Sequence, residues 1–138
     1  ARAGDYFAVL AFLAPETSTW HALQGLRGLV RDRLGVATTA GWGPRFLHST
    51  GQLHKGGDDS GLFLQITADD SSDLEIPGES YSFGALARAQ AFGDFEALTS
   101  RGRRLLRVHL KGQPEQGLAR LLELARLALP PAAGGTDG

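Results

Sequence analysis

The most reactive side chains of this sequence are concentrated in one short segment, Gly43–Gly57, which reads GPRFLHSTGQLHKGG. Its reactive and hydrogen-bonding residues are Arg45, His48, Ser49, Thr50, Gln52, His54 and Lys55. An imidazole can donate and accept protons near neutral pH, and an ammonium can stabilise negative charge that develops on an oxygen atom. The segment is therefore predicted to bind a polyhydroxylated ligand and to move its protons.

The spacing within the segment predicts a short helix that ends at its glycine pair. A helix turns by about 100° per residue, so His48, Gln52 and Lys55 would share one face. Leu47 and Leu53 would then lie off that face and pack on the core. This shared face, with Lys55 assisting His48, is the predicted catalytic arrangement.

Each of these residues also has a plainer interpretation. An isolated histidine in a loop is more often structural or solvated than catalytic, which applies to His48. His54, beside Lys55, is open to interpretation as surface decoration. Ser49 and Thr50 can serve as helix caps rather than as ligand-binding residues.

Signatures of metal and nucleotide binding are missing from this segment. His48 and His54 do not form an i, i+4 pair, and no acidic third ligand is near them, so no metal site is predicted. Gly41–Gly43 does not complete a G-x-G-x-x-G fingerprint, and the sequence has no P-loop. No cofactor is expected.

Strands and helices alternate along the chain around this segment. Apolar runs predict strands at Tyr6–Leu13, Val36–Thr39, Leu62–Thr67 and Leu105–Leu110. Periodic apolar positions and cap residues predict helices at Trp20–Leu34, Phe83–Phe92, Asp94–Ser100 and Gly117–Leu129. Gly35 is the expected stop of the first helix, Ser82 the cap of the second, and Gly93 a break or bend. The pattern predicts a three-layer α/β/α fold with a mostly parallel sheet of about four or five strands.

The predicted sheet places the reactive segment. Parallel sheets bind ligands at the carboxyl ends of their strands, and the segment follows the second predicted strand. We therefore expect it at the binding edge, within one α/β domain spanning residues 1–129. Residues 130–138 read as a disordered tail, and the abrupt entry into the first strand predicts a domain cut from a longer chain.

Composition limits the classes of partner. The chain has 138 residues, with 14 Lys and Arg against 15 Asp and Glu. This balance argues against a general nucleic-acid binder and against an electrostatic membrane anchor. No apolar run is long enough to span a membrane, and the absence of cysteine excludes disulfides and suits a cytoplasmic protein.

The sequence also resembles a known enzyme family. LHSTGQLHKGG is similar to the LHS-x-GQ segment in the second sugar-isomerase (SIS) domain of bacterial phosphoglucose isomerases. The longer strings GPRFLHSTGQLHKGG, SGLFLQITADD, IPGESYSFGALARAQAFGD and SRGRRLLRVHL resemble the C-terminal portion of bifunctional transaldolase/phosphoglucose isomerase fusion proteins. The resemblance extends from Gly4 to about Leu110.

The resemblance implies roles for single residues. His48 matches the family histidine that opens the sugar ring by proton transfer at the ring oxygen, and that histidine serves the active site of a neighbouring subunit. Gln52 matches a glutamine beside the site. The family's usual lysine follows a DQ-x-GVE-type motif that this sequence lacks, so Lys55 takes that role only by position. Arg45 is a possible substrate anchor.

Two parts of the family's site have no match in this sequence. One is the glutamate base that moves a proton between carbon 1 and carbon 2, for which Glu79 and Glu96 are the nearest candidates. The other is a Ser/Thr-rich phosphate loop. The first hypothesis is therefore part of an isomerase for glucose 6-phosphate and fructose 6-phosphate, inactive alone and completed by the parent chain or a second subunit.

Two alternatives remain from the sequence. The first is a non-catalytic module that binds a phosphosugar. The second, weaker one is that the basic turn Arg101–Arg104 binds phosphate or nucleic acid, although such turns are more often solvated loops.

Overall fold

The computed structural model describes residues 1–70 and 72–131, so most of the predicted disordered tail lies outside the described residues. The strands are β1 (Tyr6–Phe12), β2 (Ala37–Trp42), β3 (Gly61–Ala68) and β4 (Arg104–Leu110). The helices are α1 (Thr17–Leu34), α2 (Thr50–Gly56), α3 (Phe83–Ser100) and α4 (Pro114–Ala128). None of these helices is long and apolar enough to cross a membrane.

The described strands form one parallel sheet in the order β2-β1-β3-β4. Side chains of β1 alternate between the two faces of this sheet. Val9 and Ala11 pack in a core with residues of α1 and α4, whereas Ala8 and Leu10 pack with Phe46 and with Leu98 of α3. The predicted three-layer α/β/α fold with a four-stranded sheet is therefore confirmed.

The order of the strands defines a switch point. The chain moves from β1 outward to β2 and then crosses back to β3 on the other side of β1. Loops that leave β1 and β3 therefore diverge to opposite faces of the sheet and open a crevice at its carboxyl edge.

Helix α1 ends where the sequence predicts. Gly35 has φ 64°, a left-handed conformation that glycine adopts without steric cost, and its N–H donates to the carbonyl of Arg31 at 2.9 Å. The buried residues Leu23, Leu26 and Val30 follow the apolar stripe that predicts the helix.

Helix α3 corrects the sequence prediction. The chain runs as one helix from Phe83 to Ser100, so Gly93 neither breaks nor ends it. The N-cap prediction is confirmed, because the Ser82 hydroxyl accepts a hydrogen bond from the Ala85 N–H at 3.1 Å. Burial of Leu98 beyond the glycine stabilises the helix by about 2 kcal/mol, which exceeds the roughly 1 kcal/mol that a helical glycine costs.

Substituting Gly93→Ala should stabilise the protein by about 0.5–1 kcal/mol. Gly93 is exposed within the helix, and a Cβ atom there would meet no atom within 4 Å. Urea unfolding of the variant would measure the gain. Gly84→Ala is the matched contrast in the same helix, because its Cβ would collide with the carboxylates of Asp70 and Asp73. A destabilised Gly93→Ala variant would contradict the continuous helix.

Candidate functional site

A cleft of about 740 Å³ lies at the carboxyl edge of the sheet, at the switch point. The loops that follow β1, β3 and β4 form its walls. Its acidic side chains are Glu16, Asp69, Asp70, Asp73 and Glu115. Carboxylates accept hydrogen bonds from hydroxyl groups, so the cleft is chemically suited to a polyhydroxylated ligand.

Asp73 occupies the N-terminal end of α3 at this cleft. Its carboxylate accepts hydrogen bonds from the Ser82 hydroxyl at 2.5 Å and from the Gly84 N–H at 2.7 Å. The Ser82 hydroxyl, followed by the Gly84 N–H, lowers the pKa of Asp73. The helix end that would otherwise attract an anion therefore already holds a carboxylate of the same chain.

The reactive segment contributes little to this cleft. Of Gly43–Gly57, only Gly43 lines it. The segment leaves the carboxyl end of β2 and returns along the face of the sheet, because α2 is part of the crossover to β3. The expectation that the whole segment lies at the binding edge is therefore wrong.

His48 lies in the turn before α2 and not on the helix. The helix begins at Thr50, so the helical spacing that would align His48 with Gln52 and Lys55 does not apply. His48 is exposed, whereas the Gln52 amide donates weakly to the Leu47 carbonyl at 3.4 Å. The predicted shared face is wrong.

Lys55 is turned toward α3. Its Nζ lies 2.8 Å from Oδ1 of Asp94, whose side chain is only 1% exposed. Oδ2 of Asp94 is buried without a hydrogen-bond partner among the described residues, so Lys55 supplies the main compensation for this buried charge. The ammonium is committed to an ion pair between α2 and α3, and it is not presented to a ligand beside His48.

Phe46 anchors the turn that carries His48. The Phe46 side chain is buried and meets Phe12 edge to face, with ring centroids 5.6 Å apart. Its carbonyl accepts the N–H of Gly51 at 2.8 Å, where a Cβ atom on Gly51 would collide with it. The turn is thus fixed on its inner side, and His48 lies on its outer side.

Of the other predicted ligand-binding residues, Arg45 and Ser49 lie on the same turn, and Thr50 begins α2. Arg45 and Thr50 are exposed and have no side-chain hydrogen bond among the described residues. Ser49 occupies the N-cap position of α2 without a capping side-chain bond, because its hydroxyl donates to the Phe46 carbonyl at 3.2 Å. Arg45 and His48 are therefore exposed on the turn and Thr50 is exposed at the start of α2, and the capping interpretation of Ser49 is wrong.

His54 is buried, so its interpretation as surface decoration is wrong. It is 4% exposed, its Nδ1 lies 2.8 Å from the Tyr6 hydroxyl, and its ring meets the edge of Phe63. Leu53, predicted to pack on the core, is 60% exposed. Gly51 and His54 form the buried face of α2. They lie three residues apart, and this helical spacing is the feature of the sequence that could have predicted the buried face.

Burial makes His54 a determinant of stability below neutral pH. Loss of solvation lowers the pKa of His54 from its ordinary 6.5, and the nearby Asp94 only opposes this shift. Above about pH 6.5 both the folded and unfolded states are neutral at this site. Below it the unfolded state binds the proton first, so the free energy of unfolding falls with pH until the lowered pKa of the folded state is reached.

Urea unfolding between about pH 5 and 8 would measure this dependence. His54→Gln should flatten the curve relative to the wild-type protein, while His21→Gln, at an exposed position of α1, should not. If both variants kept the wild-type slope, His54 would not be the titrating group.

The basic turn Arg101–Arg104 is structural. Arg103 donates to the carbonyls of Lys55, at 3.0 Å, and of Gly57, closing the C-terminal end of α2. Arg104 forms two hydrogen bonds with Asp5, at 2.7 and 2.8 Å, and holds the pKa of that carboxyl well below its usual range. The interpretation of these two arginines as solvated is wrong, and their commitment argues against a nucleic-acid interface.

Neither glutamate considered as a base lies in the cleft. Glu79 and Glu96 are both exposed, and neither lines its walls. Within residues 1–70 and 72–131, no group of three or more histidine, aspartate or glutamate side chains is arranged to hold a metal ion.

Comparison with known proteins identifies the fold. No protein-family model matches the chain, and no curated protein sequence matches it. Among solved structures, it is similar to the crystal structure of a protein described as hypothetical protein TT0462 from Thermus thermophilus, with a TM-score of 0.72 and 20% sequence identity. The match covers 92% of this chain and 37% of that chain, so this chain spans little more than a third of its structural relative. At this identity the likeness shows the fold alone.

Proposed function

We propose that this chain is one part of an aldose–ketose isomerase that interconverts glucose 6-phosphate and fructose 6-phosphate. The observation that supports the proposal is the placement of His48, which lies exposed on a turn fixed by Phe46 and outside the cleft of its own chain. A histidine presented outward in this way can act in an active site that another domain or subunit completes. That arrangement agrees with the resemblance of LHSTGQLHKGG to the isomerases.

In the proposed reaction His48 transfers a proton at the ring oxygen and opens the sugar. Arg45 on the same exposed turn and Thr50 at the start of α2 bind the substrate beside it. Isomerisation then proceeds by proton transfer through an enediol, which requires no cofactor. The base and the phosphate loop for this reaction come from the rest of a longer chain or from a second subunit. Absence of cysteine supports a cytoplasmic location.

The cleft at the carboxyl edge favours a second candidate, a phosphosugar-binding module without catalysis. The cleft is large, is lined by carboxylates, and contains neither His48 nor Lys55. A sugar bound there would be held away from the proposed proton-transfer group.

Two measurements on the full-length protein and on this 138-residue chain distinguish the candidates. One is an assay of glucose 6-phosphate conversion, and the other is calorimetry with fructose 6-phosphate. The isomerase proposal expects turnover by the full-length protein, with an inactive and weakly binding isolated chain. Tight binding by the isolated chain, without turnover by the full-length protein, would favour the module and overturn the isomerase.

A further inference from the structure

A small side pocket of about 90 Å³ opens off the cleft between α3 and the carboxyl ends of β3 and β4. Phe12, Ala68, Asp70 and Ala87 line both the cleft and the side pocket, so the two spaces are continuous. The side pocket is much smaller than the cleft, which suits a small polar group.

The polar wall of the side pocket is basic. Arg88 and Arg107 line it against one acidic residue, Asp70, and the Asp70 carboxylate is already paired with the Arg88 guanidinium. Arg107 has no carboxylate within 4.0 Å among the described residues. The side pocket therefore carries one uncompensated positive charge, in contrast to the acidic cleft.

Arg107 is exposed and makes a cation–π contact with α3. Its guanidinium carbon lies 5.6 Å from the ring centroid of Phe95. A contact of this kind leaves the N–H donors of the guanidinium available to a ligand. A guanidinium presented in this way matches the geometry of a phosphate or carboxylate.

A hydrogen-bonded histidine and threonine complete the wall. The Nδ1 atom of His109 lies 2.9 Å from the hydroxyl of Thr67, and its Nε2 lies 3.1 Å from Oδ1 of Asp69. These contacts fix the imidazole at the end of β4, and Thr67 is 6% exposed. Asp69 lines the cleft and not the side pocket, so it contacts the imidazole from the cleft side.

We propose that this side pocket binds a phosphomonoester anion through Arg107, with Arg88 as a further donor. The hydroxylated part of the same ligand lies against the carboxylates of the adjoining cleft. An acidic cleft that repels a phosphate favours placement of that group in the adjoining basic side pocket. The site is separate from the turn of His48, and the proposal does not rest on isomerase activity.

Calorimetry of the 138-residue chain with inorganic phosphate tests the site, and ³¹P line broadening provides a second readout. The wild-type chain should bind phosphate, and Arg107→Gln should weaken the affinity at least tenfold. Arg126→Gln, at an exposed position of α4 far along the chain, should bind like the wild type. Fructose 6-phosphate should bind more tightly than inorganic phosphate, and fructose should bind least.

Three results would overturn the proposal. They are the absence of phosphate binding by the wild-type chain, equal weakening in the Arg107→Gln and Arg126→Gln variants, and equal affinity for fructose and fructose 6-phosphate. Circular dichroism shows whether the Arg107→Gln variant folds. If it does not fold, Arg107→Lys is used in its place. Arg107→Lys should bind phosphate with intermediate affinity, because the charge remains but the bidentate geometry is lost. Retained phosphate binding in His48→Ala would show that phosphate binding in the side pocket does not depend on His48, so this proposal and the isomerase proposal are tested independently.

Discussion

Replacing His48 with alanine in the full-length protein is expected to lower kcat/KM for ring-closed glucose 6-phosphate by about 10²–10⁴-fold. The imidazole is exposed on a turn anchored by Phe46, so its removal takes away a proton-transfer group without opening the core. Ring opening requires a proton at the ring oxygen, and no other histidine lies on that turn. A coupled assay of fructose 6-phosphate formation measures the change.

His21→Ala is the matched control for this experiment. His21 is also an exposed histidine, but it lies on α1, away from the reactive segment. The control should retain wild-type turnover and the wild-type unfolding midpoint. Unchanged isomerase turnover in His48→Ala would show that His48 takes no part in the reaction. That conclusion would not depend on the results for the other proposed sites.

Loss of the Lys55 ammonium is expected to destabilise the protein by about 3–5 kcal/mol. In Lys55→Met the buried carboxylate of Asp94 would lose its ion-pair partner, and its Oδ2 has no hydrogen bond to compensate. This loss is a large share of the roughly 5–15 kcal/mol that holds a domain folded. Urea unfolding at neutral pH measures the cost.

The double variant Lys55→Met with Asp94→Leu separates stability from catalysis. Removing both charges should recover most of the lost stability, because an apolar pair of similar volume can replace a buried ion pair. If Lys55 also acts on substrate, the stable double variant will remain inactive in the full-length protein. Equal instability of the single and double variants would show that the ion pair is not the source of the effect.

The sequence predicts most of the fold because apolar runs mark the strands and a periodic apolar stripe marks α1. The pattern places the four strands and α1 within a few residues of their positions. It splits helix α3 at Gly93, because local propensity carries no information about the burial of Leu98 against the sheet. Tertiary packing decides that element.

The candidate site is harder to predict than the fold, for a physical reason. Helix α2 has only seven residues, so its orientation is set by distant partners rather than by its own pattern. His54 is hydrogen-bonded to Tyr6 and Lys55 is paired with Asp94, whereas Leu53 is exposed to solvent. Apart from the three-residue spacing of Gly51 and His54, the spacing of residues 43–57 does not indicate these contacts.

The C-terminal end of α2 is closed by Arg103, a residue from much later in the chain. The residue that closes the C-terminal end of α2 lies 46 and 48 positions farther along the chain than the carbonyls it binds. Such a contact requires a long loop to close first, and a seven-residue helix has little stability of its own. During synthesis, α2 therefore cannot gain its full hydrogen-bonded form until the start of β4 has left the ribosome. In the folded protein, hydrogen exchange at the end of α2 should report the docking of Arg103.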